Sequence, residues 1–315
     1  MIDFRYHIVS IVAIFFALGA GVVLGAGPLK GTGSDIILNQ ANVDRASLVA
    51  ARDEITQLKA LNKYHQDYEA KVTAGLANGK LTNVKVALVV MPNADSDVVD
   101  GLDDELQKSG AQVTVRAALN AKLFDPGQRQ LIEPLITQLA TADVDFPKDS
   151  TTYERAGLIL ARGVAAKEPN RTVDTDATRI LQGMSSSELV SLKPATIKDR
   201  ATLIVVVAGK PATPAVASST YTDAVDFIEG LDTGSAGVVL AGTPDTAKDG
   251  GLLKALRSDS DATKIVSSVD VADLPAGQMT VVFALVEQLT GKAGQYGAFD
   301  AKDGIAPAAV MPKDN

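Results

Sequence analysis

From Ile8 to Leu29 the sequence runs 22 residues without a charge, between Arg5 and Lys30. As a helix rising about 1.5 Å per residue, such a run reaches roughly 33 Å, enough for a hydrocarbon core of about 30 Å. A secretory signal peptide is the rival reading, with Gly25, Ala26 and Gly27 as small residues near a plausible cleavage point. The apolar run exceeds the core of about 7–15 residues usual in such peptides. Only one Arg, close to Asp3, precedes it. The expectation is an uncleaved anchor over residues 1–30. Ala13, Ala17, Gly21 and Gly25 recur every four residues, so one helix face is built of small side chains that let a second helix backbone approach. The flanking charges barely discriminate orientation. As a signal-anchor, the segment would place the bulk of the chain outside the cytoplasm.

From Ser34 to Leu76 the pattern changes to mixed charges around a partial apolar stripe, without Pro and without Gly before Gly75. One seam position of a heptad frame reads Ala41, Leu48, Ile55, Asn62, Glu69 and Leu76. Its companion reads Ile37, Asp44, Ala51, Leu58, His65 and Val72. The centre of that seam is apolar and its ends are polar. A second stripe, Leu58, Leu61, His65, Tyr68 and Val72, leaves the first frame as a stutter would. A long helix with a partial apolar stripe needs a partner surface. The expectation is a coiled-coil stalk over 34–78, pairing as a homodimer or with another protein's helix through Leu48, Ile55, Leu58, Leu61 and Val72. A helix lying against the rest of its own chain is the alternative.

Beyond Gly79, β-branched apolar runs alternate with helical stretches. The runs are Val84–Val90, Ala111–Ala117, Thr202–Gly209, Gly237–Thr243 and Ala262–Val269. The helical stretches are Ser96–Lys108, Pro126–Ala140, Tyr221–Leu231, Gly250–Arg257 and Gln278–Leu289. That alternation predicts an α/β class domain over 82–290, a mostly parallel sheet layered between helices. Residues 143–200 interrupt it and read as a helical insertion, with helices at Tyr153–Lys167 and Asp176–Gln182 and another starting at Glu188. Residues 291–315, rich in Gly, Ala, Lys and Asp, read as a flexible tail.

Composition then narrows the chemistry. With 30 Lys plus Arg against 38 Asp plus Glu in 315 residues, the net charge of −8 argues against a nucleic-acid partner. The absence of Cys removes disulfides, thiolate metal sites and Cys nucleophiles. Both His, His7 and His65, lie outside the α/β segment, so that segment cannot hold a Ser-His-Asp triad. Ligands of open α/β sheets sit at the carboxyl ends of strands. The loops there read Met91-Pro92-Asn93-Ala94-Asp95, Gly209-Lys210-Pro211 and Gly242-Thr243-Pro244-Asp245. None is a dinucleotide fingerprint or a phosphate-binding loop. The acidic run from Asp95 to Glu105 lacks EF-hand spacing and reads as helix capping by Asp95 or Ser96. The expectation is a protein that is not an enzyme, has no cofactor and carries no metal site of its own. A ligand-sensing role for the loops near Asn93, Lys210 and Asp245 is a further option.

The opening resembles an envelope-protein family of mycobacteria and corynebacteria. Arg5, His7, Val9, Ser10, Gly19, Gly21, Val22, Val23, Leu24 and Gly25 match its polar stub, H-x-V/I-S start and Gly-rich membrane helix. The later helix and the α/β body beginning VKVALVVMP follow in the family's order. The family carries two functional names. MctB implies copper transport or efflux and an outer-membrane association. SteB implies control of cell separation, with a SteA-like membrane partner and the peptidoglycan endopeptidase RipA. Of the two, the residues favour the SteB-like scaffold. Copper(I) prefers Cys and Met, whereas Met91, Met184, Met279 and Met311 are dispersed. One span cannot form a pore alone, and the strands lack the alternating pattern of an outer-membrane barrel. The expected protein is therefore a single-pass, extracytoplasmic regulator, with copper transport as the alternative.

Overall fold

The computed structural model describes residues 4–26, 32–72, 75–213 and 215–308. Residues 1–3 and 27–30 of the expected anchor, residues 31, 73–74 and 214, and residues 309–315 with Met311 lie outside the described part. The chain divides into two compact units, residues 1–65 and 66–315.

In the first unit, α1 spans Phe4–Ala26, and its stretch Arg5–Gly25 is long and apolar enough to cross a membrane. Phe15, Phe16, Val23 and Leu24 are exposed, as hydrocarbon-facing side chains would be. The second helix, α2, spans Thr32–Val72 and continues past the division between the units.

The second unit is built on seven strands: β1 (Lys85–Val90), β2 (Gln112–Leu119), β3 (Val190–Lys193), β4 (Leu203–Val207), β5 (Val238–Ala241), β6 (Ser267–Val269) and β7 (Gln295–Tyr296). They stand in the order β3-β2-β1-β4-β5-β6-β7. Only β3 runs antiparallel to its neighbour. All five residues of β4 are buried, as a central strand covered on both faces requires. Alternate residues feed two cores. Ala87, Val89, Ile204 and Val206 face one layer made by α4 (Arg129–Leu139), α5 (Thr152–Val164), α6 (Thr175–Ser186), α7 (Ser218–Thr233), α8 (Leu252–Ser258) and the short α9 (Ala262–Ile265). Val86, Leu88, Val205 and Val207 face the other layer, made by α3 (Ser96–Lys108) and α10 (Pro275–Gln288). The unit is thus an α/β fold with a mostly parallel sheet.

Three segments differ from the sequence reading. The helix expected from Glu188 is instead strand β3. Glu188 adopts φ 55° where α6 ends, and the Leu189 N–H returns to the Met184 carbonyl at 3.0 Å. That left-handed reversal sends Val190 onto Leu119 of β2. Residues 143–200 accordingly contribute two helices and an edge strand rather than helices alone. In Ala262–Val269 only the last three residues pair. The Asp259 carboxylate accepts the N–H groups of Asp261 (2.8 Å) and Ala262 (3.1 Å), which starts the turn of α9 first. Finally, the expected flexible tail enters the sheet as β7, Ser268 and Val269 facing Gln295 and Tyr296. Arg257 and Asp270 hold it there, with side chains 4% and 0% exposed.

The helix α7 carries a titrating cluster. Burial, followed by repulsion from Asp259, Asp226, Glu154 and Asp261, pushes Glu229 up to about 7. Burial likewise pushes Asp232 up to about 6, against the opposing charge of Lys167. Both carboxyls therefore bind protons in the folded state at pH values where the unfolded chain has released them. Stability contributed by the protonated forms is present below pH 4 and is lost as pH rises to about 7. Melting scans should give a higher midpoint at pH 5.5 than at pH 7.5. Glu229→Gln should shrink that difference, and an unchanged difference would contradict the assignment.

Candidate functional site

The sheet order contains one reversal. After β1 the chain enters α3 on one face, whereas after the adjacent β4 it enters α7 on the other. Loops that diverge in this way leave a crevice at the carboxyl edge, the usual ligand position in open α/β sheets.

Backbone contacts bind the two loops together. The Met91 N–H donates to the Val207 carbonyl at 3.0 Å, and the Lys210 N–H donates to the Asn93 carbonyl at 3.1 Å. Asn93 adopts φ 63°, a left-handed conformation that Asn tolerates better than most residues. Gly209 is required by space: a Cβ there would overlap the Pro92 carbonyl oxygen. The ammonium of Lys210 reaches the Asp95 carboxylate at 2.6 Å. That hydrogen bond, followed by the one from the Asp97 N–H, holds Asp95 below the usual carboxylate range.

Of the two caps read from the sequence, Asp95 or Ser96, it is Asp95 that caps α3, accepting from the Asp97 N–H at 3.1 Å. Asp95 and Asp97 thus stand where nucleotide-binding α/β folds in general leave helix N–H groups open for phosphate. Farther along the acidic run, Asp100 and Asp103 both pair with Arg116 of β2.

Two concavities open beside Lys210. One, of about 450 Å³, is lined by Asp95, Asp97, Thr243, Asp245, Asp273 and Gln278. Burial, then the charges of Asp245, Asp270 and Asp95, raises Asp273. The other, of about 580 Å³, is apolar and is walled by Met91, Phe124, Ala224 and Leu252, with Tyr221 at its side. The structure therefore brings Asn93 and Lys210 together at the apolar crevice, while Asp245 meets Lys210 in the acidic one. Phe124 and Tyr221 were missed in the sequence because an aromatic side chain carries no sign of which cavity it borders.

The positions expected to pair helices lie on α1 and α2. Leu48, Ile55, Leu58 and Leu61 of α2 are each at least half exposed. The side chain of Val72 lies outside the described residues. Ala13, Ala17, Gly21 and Gly25 share one face of α1, and added Cβ atoms at Gly21 and Gly25 would meet nothing within 4 Å. Met91 and Met184 are buried and Met279 packs partly buried against the second core. Among the described residues, no three His, Cys, Asp or Glu side chains gather as metal ligands.

An apolar N-terminal helix followed by an α/β domain with its crevice at the topological switch point defines the class. The family described as "Copper transport outer membrane protein, MctB" matches residues 1–307, and the chain belongs to it. The copper transporters MctB of Mycobacterium tuberculosis and Mycobacterium bovis are each 25% identical over 311 residues, covering 94% of this chain and 96% of theirs. That of Mycobacterium leprae is 25% identical over 319 residues, with the same coverage.

Proposed function

We propose that the protein serves copper transport at the cell envelope as a membrane-anchored, non-enzymatic component rather than as the conduit. Membership of the copper-transport family, over residues 1–307, is the observation that carries this reading. Copper is the cargo. With one candidate span among the described residues, the reading calls for assembly with other membrane helices, and the small-residue face of α1 is suited to that contact. In its host, deletion of the gene should lower copper tolerance. The full chain should restore it, whereas the chain secreted without residues 1–30 should not. Unchanged tolerance in the deletion strain would overturn the reading.

The exposed stripe of α2 favours a second reading, a scaffold that controls cell separation through a coiled coil. On this reading α2 pairs with its own copy or with helices of SteA-like and RipA-like partners, the α/β domain lying on the extracytoplasmic side. Because the chain has no Cys, a thiol introduced by Leu58→Cys is unique. Oxidation in membranes should give a disulfide-linked dimer, and Ile55→Asp in the same chain should abolish it. Failure of Leu58→Cys to cross-link would contradict self-pairing at this seam position.

A further inference from the structure

We propose that the crevice between the β1 and β4 loops binds an uncharged, predominantly apolar small molecule. The proposal is independent of the copper reading. Its volume, about 580 Å³, falls in the range of roughly 300–1,000 Å³ typical of small-molecule pockets. The floor is made by Met91, Phe124, Ala224 and Leu252, all buried, and the apolar surface that a ligand would remove from water lies on the rim, where Val216 is 40% exposed. These residues come from four separate parts of the chain, and the contact of Gly209 with Pro92 fixes two of the walls.

Charge decides the ligand class. Lys210 and Lys122 stand at the mouth, yet each is already paired, with Asp95 and Glu188 respectively. Asp125 adds a negative charge at the rim, where its carboxylate accepts the Gly127 N–H at 2.9 Å. Asp95 and Asp97 lie just outside this lining, in the adjoining acidic concavity, so a phosphate or carboxylate drawn to Lys210 would compete with their charge. Uncharged polar groups remain to orient a ligand. The Asn120 carbonyl oxygen accepts the Lys122 N–H at 3.0 Å, which leaves its amide N–H groups to donate, and Asn93 borders the same opening. An apolar body with one or two neutral hydrogen-bonding groups matches this lining.

The test uses the full chain in phosphatidylcholine nanodiscs and the neutral photoprobe 4-benzoylbenzyl alcohol, with attachment sites read by peptide mass spectrometry. Saturable labelling is expected on peptides carrying Met91, Phe124, Tyr221 or Leu252. Ala224→Phe fills the floor and should reduce that labelling at least tenfold. Ala217→Trp, at an exposed position on the rim, should do the same with an unchanged melting midpoint, and it carries the test if Ala224→Phe does not fold. Labelling that never saturates, is confined to α1, or is equal in wild type and Ala217→Trp would overturn the proposal. Displacement of the probe by ATP or riboflavin 5′-phosphate would overturn the assignment of an uncharged ligand.

Discussion

Replacing Arg257 with Ala is expected to destabilise the α/β unit by about 3–5 kcal/mol, because it leaves a buried carboxylate without its partner. The guanidinium donates to Asp270 at 2.7 Å, to the Ser268 hydroxyl at 2.8 Å, to the Tyr296 carbonyl at 2.7 Å, and to the Phe299 carbonyl. Asp270, fully buried, also accepts the N–H groups of Ala298 (2.8 Å) and Phe299 (3.0 Å). The pair therefore ties α8 and the end of β6 to the chain that follows β7. At about 2–4 °C per kcal/mol for a domain of this size, the melting midpoint should fall by about 10 °C. Limited proteolysis should then cut first near residues 297–305, since β7 has only two residues of ladder without the clamp. A loss below about 1 kcal/mol, or cleavage elsewhere first, would show that the pair is not what secures this segment.

A second large effect is expected where α5 crosses α7. A Cβ on Gly157 would fall inside the Phe227 carbonyl oxygen, and a Cβ on Gly230 would fall inside that of Glu154. The two glycines are reciprocal, so each helix backbone presses on the other where its partner has no side chain. Gly157→Ala gains about 1 kcal/mol of helix propensity. It also forces two backbones apart within a close-packed core, which costs about 3 kcal/mol or more. The net expectation is a loss of about 2 kcal/mol or more in denaturant unfolding. Gly101→Ala in α3 supplies the contrast. Its new methyl meets only the flexible end of Gln278, so that variant should be near neutral or slightly stabilising. Equal behaviour of the two variants would refute the crossing argument.

The sequence was most legible where local signals agreed. Ser96–Lys108 was read to the residue because Asp95 caps it and Val98, Val99, Leu102 and Leu106 follow helical spacing onto the core. Strands β1 and β4 were plain for a similar reason: continuous apolar runs are what a doubly covered parallel sheet demands. Elements fixed by distant partners were not legible. Strand β7 owes its place to Arg257 and Asp270, which lie some 25 to 40 positions earlier, and its own sequence resembles a polar tail. Strand β3 hinges on a left-handed Glu188, a conformation that its residue type does not announce. At the candidate site, the loops around Asn93 and Lys210 could be read from strand ends, whereas the walls from Phe124, Ala224 and Leu252 emerge only once the layers are stacked.

Within the first unit, the apolar run foreshadowed α1, and the stretch without Pro foreshadowed α2. Pairing of α2 is a property of two chains, so it rests on the cross-link expected from Leu58→Cys. The family match also reorders the two functional readings: the scarcity of soft copper ligands pointed toward a scaffold, while the relatives matched over 94% of the chain are copper transporters. A membrane component that acts beside the conduit accommodates both observations.

Whether the protein serves copper transport can be read from cell-associated copper, measured by mass spectrometry after copper challenge in the wild-type host, a deletion strain and the deletion strain carrying the full chain. Copper should rise severalfold on deletion and return to the wild-type level on complementation. Equal copper in all three strains would contradict a role in copper transport.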